Sequence, residues 1–205
     1  MSTTMWDERA RKYDDGIKNH DAVYDKTIES TKALLSRSDV VLDFACGSGE
    51  FSLDIAPHIE RIHGIDTSAK MIELAKKKSL DRQVDNTSFD QIDVFDPSLI
   101  SYSFSAIIAF SIFHLVDDAQ KVLARLNDLM AAGGLLITQT PCLGERGWFF
   151  RSLIGLAQKV GVAPYIRSLT ITELESLVSS GGFEIIETRT WDEKNAIHWI
   201  IARKM

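Results

Sequence analysis

Cysteine is scarce in this 205-residue chain: Cys46 and Cys142 are the only two, and they fall in unrelated stretches. Two thiols placed that way make no disulfide framework, and a reduced, cytoplasmic setting fits better. Positive charge is short as well. Lysine and arginine number 23 against 29 acids, the net charge is −6, and the longest basic run is Lys76-Lys77-Lys78. That triplet reads as the solvated face of a helix, so nucleic acid is disfavoured as a partner, since phosphate contacts supply most of such affinity. No apolar run reaches the roughly 20 residues that span a bilayer, so no integral membrane segment is expected. The opening MSTTMWDERARKYDDG is too polar and charged for a signal peptide. What remains is an ordinary soluble composition, 45% hydrophobic and 25% charged, at a length suited to one domain.

The chain is organised around VVLDFACGSGEFSLDI, residues 40–55. An apolar, β-branched run (Val40, Val41, Leu42) leads to Asp43. A turn of small residues follows, then a helix-period pattern with Phe51 and Ile55. Strand, glycine turn and helix bring bare backbone against a ligand at the carboxyl end of a strand in a doubly wound sheet. Glycine belongs there because a Cβ would obstruct the ligand or forbid a left-handed turn. A second strand, residues 61–65, ends in Asp66, 17 residues after Gly49. An acid at that tip can accept both hydroxyls of a ribose, so two successive strand ends point to a nucleoside.

A dinucleotide site wants G-x-G-x-x-G, to seat a pyrophosphate on the helix N-terminus. Here Ser52 stands where the third glycine is required, and Asp43 and Glu50 flank the turn. Two carboxylates repel a pyrophosphate but suit an ammonium or sulfonium. Asp43-Phe44-Ala45-Cys46-Gly47-Ser48-Gly49 resembles the D-x-G-x-G-x-G motif of the class I S-adenosylmethionine-dependent methyltransferases, with Ala45 in place of the first glycine. The opening W-D-E-R-A-R-K-Y-D is similar to that of the family's small-molecule members. There it implies a lid, with Trp6 facing substrate and Tyr13 near the methionine end, as a cofactor, substrate or catalytic contact. Its helical spacing (Trp6, Ala10, Tyr13, Ile17) equally suits a helix packed at the edge of the core.

The resemblance assigns the remaining strand ends in turn. Asp43 faces the methionine ammonium, with Ala45, Gly47 and Gly49 forming the loop. Asp66 and Thr67 take the ribose side, and Met71 covers the adenine. Asp93 accepts from the adenine amine and the Val94 N–H reaches the ring. Asp90 is the rival, but period-2 alternation keeps it on its strand. Residues 104–110 (FSAIIAF) read as a central strand buried on both faces. Its tip, Phe110 and Ser111, lies beneath the methyl group in this family. The run Phe110-Ser111-Ile112-Phe113 replaces the (N/D)-P-P-(Y/F/W) of enzymes acting on base amines or glutamine amides, which argues against those acceptors. His114, at the same turn, is either a packing residue or a general base for an acceptor, since free imidazole titrates near neutrality.

Gly133-Gly134 is expected to close the helix that starts at Asp117-Asp118, and Leu135 to open the fifth strand. Residues 144–165 are apolar with helical spacing and follow that strand's carboxyl end. They read as a roof over an apolar substrate, with Trp148, Phe149 and Tyr165 as contacts and Arg151 or Arg167 beside them; a core helix or a dimer or membrane patch are the other readings. Thr170-Ile171-Thr172-Glu173 is a capping pattern. Two final strands, with His198 a structural residue in the second, complete a hairpin.

The fold implied is α/β and Rossmann-like: a seven-stranded, mostly parallel sheet of order 3-2-1-4-5-7-6, last strand antiparallel, with helices on both faces. A single domain of residues 1–205 divides into lid and packing helices (1–36), cofactor core (37–140), roof (141–169) and C-terminal helix and hairpin (170–205). The activity implied is in-line methyl transfer from S-adenosylmethionine to a small, partly apolar metabolite, leaving S-adenosylhomocysteine, with no metal. A homodimer is left open. The rival reading is a non-catalytic cofactor- or partner-binding protein of the same fold; a nicotinamide dehydrogenase fits the acidic turn poorly.

Overall fold

The structure, a computed structural model, describes residues 5–8, 10, 13, 22–101, 104–147, 166–194 and 196–205. Helix α1 (Ala22–Leu34) precedes β1 (Val40–Phe44), and the glycine turn leads into α2 (Glu50–Ile55). Next come β2 (Arg61–Asp66), α3 (Ala69–Asp81), β3 (Thr87–Gln91) and β4 (Phe104–Phe110). Helix α4 (Ala119–Leu129) runs directly into β5 (Met130–Pro141), and α5 (Ile171–Ser180), β6 (Phe183–Asp192) and β7 (Ile197–Lys204) complete the chain. The seven strands form one sheet, β3-β2-β1-β4-β5-β7-β6. Strands β1 to β5 pair in parallel, whereas β7 is antiparallel to both β5 and β6.

Local sequence explains three of the helix starts. Ser68 caps α3 by accepting the Met71 N–H, and Asp118 caps α4 by accepting that of Lys121. Thr170 and Glu173 make a complete capping box on α5. The expected closure at Gly133-Gly134 is different in the structure. Helix α4 stops at Leu129, and both glycines lie inside β5, where its pairing with β4 shifts register between Phe104 and Ala106. A Cβ on Gly134 would meet Met130 Cγ at 2.6 Å, so the bulge, not the helix end, requires glycine there.

Alternation along the central strands builds two apolar layers. Leu42, Ile107 and Leu136 face Leu123 and Leu126 of α4 and Leu174 and Val178 of α5. Their neighbours Val41, Ile108 and Ile137 point the other way, to Ile28 of α1, Ile55 of α2 and Trp199. Burial on both faces is why these strands read as continuous apolar runs. The order of strands reverses between β1 and β4, so their carboxyl ends diverge and open a crevice. Among the described residues, no helix is long and apolar enough to cross a membrane.

Candidate functional site

The turn after β1 is left-handed at three places: Ala45 at φ 60°, Gly47 at 54° and Gly49 at 78°. It is sewn to the neighbouring strand by two hydrogen bonds. The Cys46 N–H donates to the Ile65 carbonyl at 3.0 Å, and the Gly47 N–H to Asp66 Oδ2 at 3.1 Å. The other Asp66 oxygen accepts the Ser68 N–H at 2.8 Å. Burial nevertheless outweighs these bonds and raises the Asp66 carboxyl above its ordinary value.

The two glycines of the turn serve different ends. Gly47 lines the crevice, and a Cβ on it would lie 3.3 Å from the Tyr13 ring. Gly49 lies outside the lining. A Cβ there would meet Ala75 at 2.9 Å and Phe89 at 3.1 Å, so this glycine lets α2 and the turn settle on α3 and β3.

Two cavities meet at the crevice, of about 510 and 210 Å³, sharing Tyr13, Ala45, Phe110 and Ser111. The larger is lined by Asp66, Thr67 and Met71 on one side and by Asp93 and Val94 on another, with Trp6 above. Asp93 is held at the end of β3 by accepting the Phe95 N–H at 2.7 Å. Asp90 instead faces His63 Nε2 at 3.0 Å and takes no part in the lining. The smaller cavity contains Asp43, Cys46, Tyr24 and Phe51. Asp43 is buried and its carboxyl is pushed up to about 7, chiefly by burial; the Ser52 hydroxyl, donating at 2.5 Å, opposes that shift. Ser52, the residue that breaks the dinucleotide pattern, is thus the partner that orients Asp43.

Glu50 departs from expectation. It borders the smaller cavity, yet its carboxylate pairs with Lys78 at 2.8 Å and with Arg82, which hold it below the ordinary range despite burial. Its charge is spent on α3, not on a ligand. Arg82 also reaches Asp54 at 3.2 Å, and Tyr24 donates to Asp54 at 2.8 Å, tying α1, α2 and α3 together.

His114 lies in a short 3₁₀ turn after β4 and lines neither cavity. Burial lowers its pKa to about 4, and its Nδ1 has no hydrogen-bond partner among the described residues. It is therefore a neutral imidazole at pH 7 and not one balanced near neutrality. Trp148, Phe149, Arg151 and Tyr165 lie outside the described residues. Several contributors carried no signal in the sequence: the apolar wall of Ile112, Leu115 and Val116, and Lys121, whose ammonium sits 4.9 Å from the Phe95 ring centre. The three apolar residues follow the end of β4 in irregular backbone and a 3₁₀ turn, where spacing gives no direction to a side chain, and Lys121 lies in the first turn of α4.

Residues 35–196 match the methyltransferase domain family. The chain belongs to that family. It is a class I methyltransferase that uses S-adenosylmethionine, and the sheet order is the one this class is expected to have. An uncharacterized methyltransferase of Anoxybacillus flavithermus is 23% identical over 210 residues, covering 96% of this chain and 94% of the relative. Two solved methyltransferases share its fold. The magnesium protoporphyrin IX methyltransferase of Synechocystis PCC 6803, with S-adenosylhomocysteine bound, superposes with a TM-score of 0.71 at 18% identity, covering all of this chain and 95% of that one. A putative O-methyltransferase of Nostoc punctiforme gives 0.76 at 18% identity, covering 97% and 60%. The donor set fits the methyltransferase cofactor. The larger cavity carries the Asp66 and Asp93 carboxylates with Met71 and Val94 as apolar cover, and the adjoining one the Asp43 acid, groups of the kind a nucleoside with a cationic tail would need.

Proposed function

We propose that this methyltransferase acts on a small, partly apolar acceptor. The observation that carries the reading is the wall of the larger cavity around the tip of β4. Phe110, Ile112, Leu115, Val116 and Trp6 make it apolar, and among the described lining residues Lys121 is the single cation, set against Asp66, Asp93, Asp117 and Asp118. A polyanion has little to hold on to there. An apolar pocket with a few polar groups suits a metabolite.

When bound, S-adenosylmethionine supplies a methyl group already activated by its sulfonium. The chain's share is then placement and exclusion of water. In this reading Asp66 holds the ribose hydroxyls, for a carboxylate has about four acceptor sites and backbone N–H groups do not fill them. Asp93 takes the adenine amine and the Val94 N–H a ring nitrogen. Met71 and Thr67 flank the nucleoside, and Ala45 and Gly47 admit the methionine end toward Asp43. Phe110 and Ser111 floor the transfer point, and Trp6 and Tyr13 exclude water from above. Trp148, Phe149 and Tyr165 are the proposed acceptor contacts, and His114, buried and outside both linings, takes the packing role.

The test is incubation with methyl-labelled S-adenosylmethionine and, separately, a metabolite extract, total RNA and a protein fraction. Label in a small molecule identified by mass spectrometry is expected. Label confined to RNA or protein would overturn the acceptor class.

A further inference from the structure

The helical residues at the N-terminus are tied to the ribose end of the cofactor site by a contact that spacing does not reveal. Asp7 Oδ1 accepts the Ser68 hydroxyl at 2.5 Å and the Lys70 N–H at 3.1 Å. Ser68 is the N-cap of α3, its Oγ accepting the Met71 N–H at 3.2 Å, and its own N–H goes to Asp66 at 2.8 Å. One serine therefore bridges two carboxylates. The first belongs to the N-terminal segment and the second to the ribose end of the larger cavity.

From Asp66 the bonds continue to the Gly47 N–H, and Tyr13 lies over Gly47. Tyr13 meets Trp6 edge to face, ring centres 6.2 Å apart, and Trp6 is the neighbour of Asp7. The path returns to its start: Asp7, Ser68, Asp66, Gly47, Tyr13, Trp6. Four of these six, Trp6, Tyr13, Gly47 and Asp66, line the larger cavity. The N-terminal segment is thus pinned on both sides of the cavity, by Asp7 at one edge and by Tyr13 at the other.

We propose that Asp7 is a positioning residue that latches Trp6 and Tyr13 over the adenosyl site, and so sets how fast S-adenosylhomocysteine leaves. The proposal rests on the cofactor occupying this cavity. Asp7 stays ionised, since the bonds from Ser68 and Lys70 hold its carboxyl below the ordinary range. An ionised acceptor makes the stronger, charge-assisted bond. It also sits at the start of a 13-residue helix, where negative charge is favoured. Such a bond lies near the surface and water can replace it when it opens. That makes it strong enough to slow release and weak enough to part in every cycle, as a lid requires.

The experiment is stopped-flow displacement of bound S-adenosylhomocysteine from the full chain, as wild type, Asp7→Ala and Asp7→Asn. Asp7→Ala is expected to speed release about tenfold, the effect of losing a charged acceptor and its two bonds, while the urea midpoint of the free protein falls only by the little that a surface charge at a helix start is worth. Asp7→Asn keeps a carbonyl acceptor and is expected to stay within about threefold of wild type. Amide exchange at residues 5–8 of the wild type, which needs no variant, is expected to slow when the product binds. Equal release from Asp7→Ala and wild type, or unchanged exchange at residues 5–8, would overturn the latch alone. Failure of the wild type to bind the product at all would overturn the cofactor site and the latch together.

Discussion

Asp66 Oδ2 accepts the Gly47 N–H at 3.1 Å, so the acid ending β2 is bonded to the left-handed turn that follows β1. Ligand recognition and turn geometry share one carboxylate. Asp66→Ala is expected to weaken S-adenosylmethionine binding by about 1–3 kcal/mol, from lost hydrogen bonds to a charged group and a turn freed from its tether. Calorimetric titration of both proteins measures it, and an unchanged dissociation constant would remove Asp66 from the site.

Gly47 and Gly49 are expected to separate when each is changed to alanine. Both have left-handed backbone, costing a Cβ about 1–2 kcal/mol. Only Gly49 adds an overlap with Ala75 and Phe89 in the packed interior, worth about 1–3 kcal/mol more. Gly49→Ala should therefore show the larger drop in urea midpoint. Gly47→Ala should show the larger drop in cofactor affinity, because its new methyl displaces Tyr13.

Ala45 and Ser111 hold left-handed backbone without being glycine, at φ 60° and 53°, and both border both cavities. Strain concentrated at a ligand crevice is a familiar exchange of stability for placement. Ala45→Gly should relieve about 1–2 kcal/mol of strain and lose about 0.4–1 kcal/mol to a freer unfolded chain. The net expectation is a small gain in urea stability. A loss would mean that the Ala45 methyl packs better than its backbone suffers.

Asp43 gives a pH signature. Its carboxyl is raised from 3.8 to about 7 by burial, so the folded protein holds this proton more tightly than the unfolded chain. Its contribution to stability therefore falls as pH rises from about 4 to about 7, and Asp43→Asn should remove that slope. His114 runs the opposite way. With its pKa depressed from 6.5 to about 4, it costs stability as pH falls through that window, and His114→Gln should flatten the acid limb. A cofactor ammonium beside Asp43 favours the carboxylate, so binding below about pH 7 should release a proton. Titration in buffers of different ionisation enthalpy reads that release directly.

Much of this arrangement was legible in the chain itself, and the exceptions share a cause. Strand ends and caps follow from short-range rules: β-branched runs, Ser68 and Asp118 before helices, and acids at strand tips; the sheet order came only from the family resemblance. What failed were judgements about where a side chain's charge or space is used. Glu50 looked like part of an acidic rim, but its partners Lys78 and Arg82 lie a helix and a strand further on. Gly49 looked like a ligand-facing glycine, and its crowding comes from Ala75 and Phe89 instead. Gly133 and Gly134 looked like a helix stop, though the helix had ended four residues before Gly133 and the pair serves a bulge. For His114 spacing left packing and a general base both open, and only its burial reveals a neutral ring. Asp7 gave no sign at all, because its partner Ser68 is 61 residues away. Each depends on contacts between elements, which no local spacing encodes.

The most direct measurement is a crystal structure of this protein grown with S-adenosylhomocysteine. The ribose hydroxyls are predicted on Asp66, the adenine between Met71 and Asp93–Val94, and the amino end toward Asp43. A ligand bound elsewhere, or a crevice that stays closed at saturating concentration, would contradict the central claim that the β1 turn and the β2 tip grip one adenosyl group.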